Sequence, residues 1–158
     1  MKKNIKSTIN KDCIEWKGSG KCIVFTNGCF DLLHKGHTDL LKASAKFGDI
    51  LIVGINSDIS VKMLKGEGRP IQPESIRLDA LIKTGLVSRV YLFDDETPLN
   101  LIKIIKPDIL VKGGDYSPDE VVGKSEVTEW GGKVKIVPLT PGYSTTKTIQ
   151  KMNRQGLV

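Results

Sequence analysis

Residues 26–37 read Thr-Asn-Gly-Cys-Phe-Asp-Leu-Leu-His-Lys-Gly-His and join a short apolar run to a stretch with helical periodicity. The apolar run, Cys22–Phe25, lacks the alternation of a half-exposed strand and therefore predicts a buried one. After the quoted residues, i, i+3, i+4, i+7 spacing predicts a helix from Gly36 to Lys46. Its inward face is predicted at Leu40, Ala43, Ser44 and Phe47. A strand that runs into a helix in this way is the first half of a β-α-β unit.

The same order of short apolar runs and helix-length stretches continues along the chain. Buried strands are predicted at Ile50–Ile55, Arg89–Phe93, Ile109–Val111 and Val134–Val137. Helices are predicted at Glu74–Thr84 and Pro98–Ile105, where Pro and Gly residues mark the ends. The pattern predicts an α/β fold with a central parallel five-stranded sheet.

Length, composition and charge limit the class of protein. A chain of 158 residues with 39% hydrophobic composition predicts one domain, residues 1–158, with a lead-in helix or arm at 1–20 and a tail at 152–158. Absence of an apolar segment long enough for a signal or a membrane span predicts a cytoplasmic protein with no membrane partner. The net charge of +6 suits any polyanion, but the lysines are dispersed, so a nucleic-acid groove is not expected. Cys13, Cys22 and Cys29 are expected to be free thiols.

The quoted stretch contains both histidines of the protein, His34 and His37, at the junction of strand and helix. That junction lies at the carboxyl edge of a parallel sheet, where ligands of such folds bind. Gly28 and Gly36 permit close backbone approach, and a helix start offers free N–H groups to a phosphate. The pair is therefore interpreted as polyphosphate-binding. The alternatives are ordinary polar residues at a helix start, or a metal pair that lacks further His or Cys ligands.

The motif Gly28-Cys29-Phe30-Asp31 followed by His34-Lys35-Gly36-His37 resembles the signature of the cytidylyltransferase-like, H-x-G-H nucleotidyltransferase superfamily. Further segments resemble the adenylyltransferase domain that makes ADP-heptose from a heptose 1-phosphate: Asn56–Asp58, Lys65–Pro70, Lys112–Tyr116 and Ser144–Thr146. The resemblance covers about Lys21 to Lys151. It implies a Rossmann-like three-layer sandwich, Mg²⁺ held by the phosphates rather than by the protein, and a homodimer. No sugar kinase segment is recognised, which implies a separate kinase upstream.

The resemblance also implies roles for particular residues. The catalytic set is His34, His37, Lys46 and Lys65. The nucleotide-binding set is Asn27, Gly28, Cys29, Phe30, Gly36, Arg77, Gly114, Asp115, Tyr143, Ser144, Thr145 and Thr146. The substrate-binding set is Asn27, Asp31, Asn56 and Lys65.

Residue chemistry alone leaves alternatives for several of these positions. Ser144–Thr146 follows a Pro-Gly turn and has the composition of a helix N-cap. Gly113–Asp115 also fits a ligand-free β-turn. Arg77 also fits a surface partner of a carboxylate. The glycine-rich loop Lys65–Pro70 fits either a mobile flap over the site or a plain connection.

The reaction implied is in-line attack of a phosphate oxygen of the acceptor on the α-phosphorus of a nucleotide, with release of pyrophosphate. The expected partners are ATP, or another nucleoside triphosphate, and D-glycero-D-manno-heptose 1-phosphate. Glycerol 3-phosphate with CTP, FMN with ATP, and the heptose reaction with CTP or GTP remain alternatives. Tyr143 and Leu139 depart from the glycerol 3-phosphate branch. A nucleotide-binding module without catalysis and a nucleic-acid-binding protein are alternatives from other classes.

Overall fold

A single parallel sheet organises the chain. The computed structural model describes residues 3–156, apart from the side chains of Lys3, Asn4, Thr145, Lys147 and Thr148. Its strands are β1 Ile23–Gly28, β2 Ile50–Asn56, β3 Arg89–Phe93, β4 Ile109–Gly113 and β5 Lys133–Val137. They pair in parallel in the order β3-β2-β1-β4-β5. The predicted α/β fold with a five-stranded parallel sheet is confirmed.

Helices cover both faces of this sheet. They are α1 Lys3–Gly18, α2 Lys35–Ala45, α3 Asp58–Lys65, α4 Glu74–Lys83, α5 Leu99–Ile105, α6 Lys124–Glu129 and α7 Thr145–Arg154, with a 3-10 turn at Pro118–Glu120. On one face Leu41 of α2 and Leu81 of α4 pack with strand residues such as Val53. On the other face, side chains of α1, α5 and α6 pack with Phe25 and Ile52. The result is the three-layer sandwich that the resemblance implied.

Some local expectations need correction. The lead-in segment is a helix that belongs to the core, because Ile9 and Cys13 of α1 are buried against the sheet. The buried residues of α2 are Leu41 and Ser44, whereas Phe47 lies beyond the helix and is exposed. Strand β5 was predicted as buried, but it lies at an edge of the sheet, where Lys133 and Lys135 are exposed and the other residues are half-buried.

Other elements were missed or misjudged at their ends. Helices α3 and α6 were not predicted, since they contain only 8 and 6 residues and give little helical periodicity to recognise. Helix α7 continues to Arg154, so the predicted tail begins inside a helix, and residues 157–158 lie outside the described part of the chain. None of the helices in residues 3–156 has the length and apolar composition that crossing a membrane requires.

The strand order reverses between β1 and β4. Strand β1 pairs with β2 on one side and β4 on the other, so the connections after β1 and β4 diverge to opposite sides. The crevice that this leaves at the carboxyl edge is the usual ligand position in open parallel sheets. The segment 26–37 lies at this edge.

Candidate active site

The loop between β1 and α2 is held in an unfavourable backbone conformation. Phe30 and Leu32 have positive φ angles of 49° and 56°, a region that costs side-chain-bearing residues about 1–2 kcal/mol each. Between them, the fully buried Asp31 carboxylate accepts hydrogen bonds from the backbone N–H groups of Ile71 (2.7 Å) and Gln72 (2.9 Å). It also accepts from Arg69 Nε at 3.1 Å. These contacts stabilise the strained loop and join it to the segment before α4.

Arg77 of α4 lies beneath this loop and is fully buried. Its Nη1 donates to the carbonyl oxygens of Cys29 and Asn56, both at 2.8 Å, at the ends of β1 and β2. Its Nε donates to the Gln72 carbonyl at 3.0 Å, and its Nη2 to Asp58 at 2.8 Å. One guanidinium therefore fixes the relative positions of four segments at the carboxyl edge of the sheet.

The two histidines stack on each other at the start of α2. Their ring centroids are 3.7 Å apart with 20° between the planes. The backbone N–H of His34 donates to His37 Nδ1 at 3.2 Å, so in the neutral ring of His37 the proton resides on Nε2. His34 Nδ1 is buried and has no hydrogen-bond partner among the described residues. A buried polar atom of this kind is costly unless a ligand satisfies it.

Electrostatics keep both imidazoles uncharged. Burial and the neighbouring His34 lower the pKa of His37 to about 4, although Asp31 opposes the shift. Burial also lowers the pKa of His34. At neutral pH each ring is therefore a neutral hydrogen-bond donor.

Gly36 is required by the stacked pair. A Cβ atom at this position would lie 2.9 Å from Cε1 of His34 and 3.2 Å from Cβ of Tyr143. Such distances are too short for non-bonded carbon atoms, since their optimal separation is about 3.5–4.0 Å. The glycine therefore permits the His34 ring to lie against the helix start.

A cavity of about 290 Å³, here called the histidine cavity, opens beside the pair. Its lining includes the cations Lys65 and Arg69 and the hydroxyl-bearing residues Tyr143, Ser144 and Thr146. Among its lining residues within the described part of the chain, none is acidic. Cationic and hydroxyl donors around neutral imidazoles match a chain of phosphates.

A second cavity of about 320 Å³, here called the amide cavity, lies next to the first. Its lining includes Asn27, Asn56, Lys112, Tyr116, Glu96 and Glu120. The two cavities are neighbours, because Cys29 of the histidine cavity donates from Sγ to Asn56 Oδ1 of the amide cavity at 3.7 Å. Amides and carboxylates provide both donors and acceptors, which suits a hydroxyl-rich ligand.

The predicted site residues fall into these two cavities in large part. His34, His37, Lys65, Cys29, Phe30, Gly36, Tyr143, Ser144 and Thr146 line the histidine cavity, whereas Asn27 and Asn56 line the amide cavity. The side chain of Thr145 lies outside what the structure describes.

Other predicted residues lie elsewhere. Lys46 caps the C-terminus of α2, and a helix of 11 residues places it about 16 Å from the histidines, toward the opposite edge of the sheet. Asp31 is buried and bonded to the loop, and Arg77 is neither on the surface nor at a cavity wall. These two charges act by positioning the loop, since neither is accessible to a ligand in this conformation.

The glycines and Asp115 also differ from expectation. Gly28 lines neither of these two cavities and faces the Phe30 ring, since a Cβ there would lie 3.0 Å from Cε2 of Phe30. Gly114 has a φ angle of 124° and faces Tyr116, and Asp115 is exposed outside both cavities. The turn Gly113–Asp115 is thus shaped by backbone geometry, with Gly113 alone lining the histidine cavity.

Sequence reasoning overlooked Arg69 and Lys112 as individual site residues. The position of Arg69 was not predictable, because the path of its loop depends on contacts with Asp31, more than 30 residues away in sequence. Lys112 did carry a signal, because a lysine at the carboxyl end of an apolar strand is placed at the ligand edge.

The described side chains do not fit a metal ion held by the protein. No group of three or more His, Cys, Asp and Glu side chains suited to a metal occurs within residues 3–156. Magnesium generally binds through one or two carboxylates together with substrate phosphates, and the described lining of the histidine cavity offers no carboxylate.

Comparison with known proteins agrees with this geometry. The cytidylyltransferase-like family matches residues 25–151. The chain is 54% identical over 136 residues to the bifunctional protein HldE of Koribacter versatilis and 51% identical over 138 residues to that of Geobacter metallireducens. These matches cover 86% and 87% of this chain but 28% of each relative.

A solved structure gives the same result. The lipopolysaccharide core biosynthesis protein from Thermoplasma volcanium GSS1 is 35% identical, with a TM-score of 0.63. The match covers 77% of this chain and 98% of that protein.

Proposed function

The chain belongs to the cytidylyltransferase-like family of nucleotidyltransferases, and from this premise we propose that it transfers the adenylyl group of ATP to D-glycero-D-manno-heptose 1-phosphate. The products are ADP-heptose and pyrophosphate. The observation that carries the proposal is the stacked, neutral histidine pair beside Lys65 and Arg69 in one cavity. The resemblance of the motifs to ADP-heptose synthesis supports the choice of acceptor.

The histidine cavity is assigned to the triphosphate. In the reaction an acceptor oxygen forms a bond to the α-phosphorus while the bond from that phosphorus to the bridging oxygen breaks, and the electron pair leaves with pyrophosphate. His37 Nε2–H and the His34 ring donate to phosphate oxygens, and Lys65 and Arg69 offset the charge that develops on them. Ser144 and Thr146 add hydroxyl donors beside the start of α7.

The amide cavity is assigned to the acceptor sugar. Its polar lining supports a polyol more than the flat, largely apolar ring system of FMN. Leu139 lies in the wall of the histidine cavity where the glycerol 3-phosphate branch has an arginine, which argues against that acceptor. Cell-surface glycoconjugate synthesis is the use of ADP-heptose that the resemblance implies.

Several parts of the proposal concern partners. Mg²⁺ is expected to enter bound to the nucleotide, where it neutralises phosphate charge. A homodimer, a separate sugar kinase that supplies the heptose 1-phosphate, and a cytoplasmic location remain predictions. Light scattering on the purified protein tests the first of these three.

The proposal is tested by pyrophosphate release in the presence of magnesium. ATP, CTP and GTP are each combined with heptose 1-phosphate, glycerol 3-phosphate and FMN. Turnover with ATP and heptose 1-phosphate alone is the expected result. Activity with another combination only would overturn the substrate assignment but still support nucleotidyl transfer. No activity with any combination would overturn the enzymatic function.

Replacement of His37 tests the assignment of the cavity. His37→Ala is expected to lower turnover about 100-fold or more, because one charge-stabilising donor is lost. Lys42→Ala, which removes an exposed cation from the same helix, is the matched control and retains turnover. Full turnover by His37→Ala would exclude the proposed role of the pair.

A further inference from the structure

Lys112 occupies an unusual position on β4. It is the residue before Gly113 at the carboxyl end of the strand and lines the amide cavity. Its Nζ lies 5.1 Å from the centroid of the Tyr116 ring. Among the described residues, no carboxylate forms an ion pair with it and no hydrogen-bond acceptor holds its ammonium.

The surroundings of Lys112 disfavour its charge. Burial lowers the pKa of Lys112, the Cys29 sulfur opposes this shift, and the charge of Lys65 adds to it. Half-buried ammonium groups are normally paired, because their desolvation is otherwise uncompensated. An anion between Lys112 and Lys65 would provide that compensation.

The position lies at the boundary between the two cavities. Gly113, the next residue, lines the histidine cavity. Likewise, Leu64 lines the amide cavity and its neighbour Lys65 lines the histidine cavity. Glu96 and Glu120 line the amide cavity without pairing to Lys112, and carboxylates accept hydrogen bonds from hydroxyl groups. The amide cavity thus combines a cationic end with a part suited to a polyol.

We propose that Lys112 binds the phosphate of the acceptor, a sugar 1-phosphate or similar phosphate monoester, at the boundary of the two cavities. The inference rests on the proposed function. With its phosphate on Lys112 and its sugar among Asn27, Asn56 and the two glutamates, the acceptor presents an oxygen toward the histidine cavity. Lys112 is then an acceptor-binding residue that contributes little to nucleotide binding.

Steady-state kinetics of Lys112→Gln test the proposal. The KM for heptose 1-phosphate is expected to rise about ten- to hundredfold, the effect of losing one hydrogen bond between charged groups, while the KM for ATP stays within about twofold. Lys112→Arg keeps the charge and is expected to recover part of the loss. The matched control is Lys135→Gln on the neighbouring strand β5, where the lysine is exposed.

A binding measurement separates this proposal from the proposed function. Calorimetric titration of heptose 1-phosphate into the enzyme with a non-hydrolysable ATP analogue needs no turnover. Loss of binding in Lys112→Gln but not in Lys135→Gln supports the assignment even if pyrophosphate release fails. Equal increases in the KM for ATP and the acceptor, or unchanged acceptor binding, would overturn it. If Lys112→Gln does not fold, Lys112→Met serves in its place, and unchanged acceptor affinity in that variant at a normal melting temperature would overturn the proposal.

Discussion

Replacement of Asp31 by Asn is expected to destabilise the protein far more than the loss of an ordinary surface carboxylate. The Asp31 side chain is fully buried between two residues with positive φ angles. Its Oδ2 accepts from Ile71 N–H and Arg69 Nε, and its Oδ1 accepts from Gln72 N–H. An amide can replace one oxygen only, so at least one of these donors faces an NH₂ group.

The magnitude follows from these three contacts. In the less costly orientation the amide nitrogen faces Gln72, which loses a hydrogen bond to a charged group worth about 1.5–3 kcal/mol. The acceptor of the other two hydrogen bonds becomes a neutral amide oxygen, so each of these bonds loses roughly half of its strength. The sum is about 3–6 kcal/mol, which overlaps the range of about 3–5 kcal/mol for breaking a buried ion pair. That is a large part of a typical stability of about 5–15 kcal/mol.

Urea denaturation followed by circular dichroism measures the free energy of unfolding. The matched control is Asp79→Asn, which breaks the exposed pair with Lys83 in α4 and is expected to leave the free energy of unfolding almost unchanged. The KM for ATP should also rise in folded Asp31→Asn, because Arg69 loses its anchor beside the histidine cavity. A destabilisation within about 1 kcal/mol of the control would refute the view that Asp31 holds the strained loop.

Three further predictions concern the groups around this loop. Gly36→Ala places a Cβ 2.9 Å from His34 Cε1, so the ring must move, and the rate of pyrophosphate release is expected to fall about 100-fold. An unchanged rate would contradict the packing argument. Because the pKa of His37 is lowered to about 4 and that of His34 is also lowered, kcat/KM for ATP should not decline between pH 6.5 and 8; a tenfold fall per pH unit would mean that a protonated imidazole is needed. Arg77→Lys cannot reproduce four hydrogen bonds from a planar group and should cost about 2–4 kcal/mol in urea denaturation, whereas an unchanged midpoint would refute its positioning role.

The fold was predictable because its signals are local. Parallel strands buried on both faces read as apolar runs, and β1, β2 and β4 were recognised from such runs. Strand β3 was also recognised, although it lies at an edge of the sheet and its first residue, Arg89, is exposed. The ends of the strands were less predictable, since Asn27 and Gly28 continue β1 although neither is apolar or favoured in strands. Pairing with Val53, Gly54 and Ile55 of β2 extends the strand to the site, and this pairing is not visible in the local sequence.

The histidine pair was predictable for the same reason, whereas the charges that position it were not. His34, Gly36 and His37 lie within one turn of a helix, so their spacing alone brings them together. Asp31 and Arg77 belong to a network that joins residues 29, 56, 58 and 72, and burial of these charges depends on the complete tertiary structure. From sequence, both residues were interpreted as ligand contacts, because residue type alone does not distinguish a buried charge that positions a loop from an exposed charge that binds a ligand.

These buried charges explain how a strained loop can hold two neutral imidazole rings at the edge of the sheet. Positive φ angles at Phe30 and Leu32 turn the chain sharply enough to stack His37 against His34 and bring its ring within 5.2 Å of Phe30. The same burial that lowers the pKa of His37 leaves His34 Nδ1 without a partner among the described residues. In the proposed function a phosphate chain accepts hydrogen bonds from the neutral rings and so satisfies the buried nitrogen of His34. Asp31 and Arg77 thus stabilise the strained loop during folding, so that in the proposed function the donors are in place before the nucleotide binds.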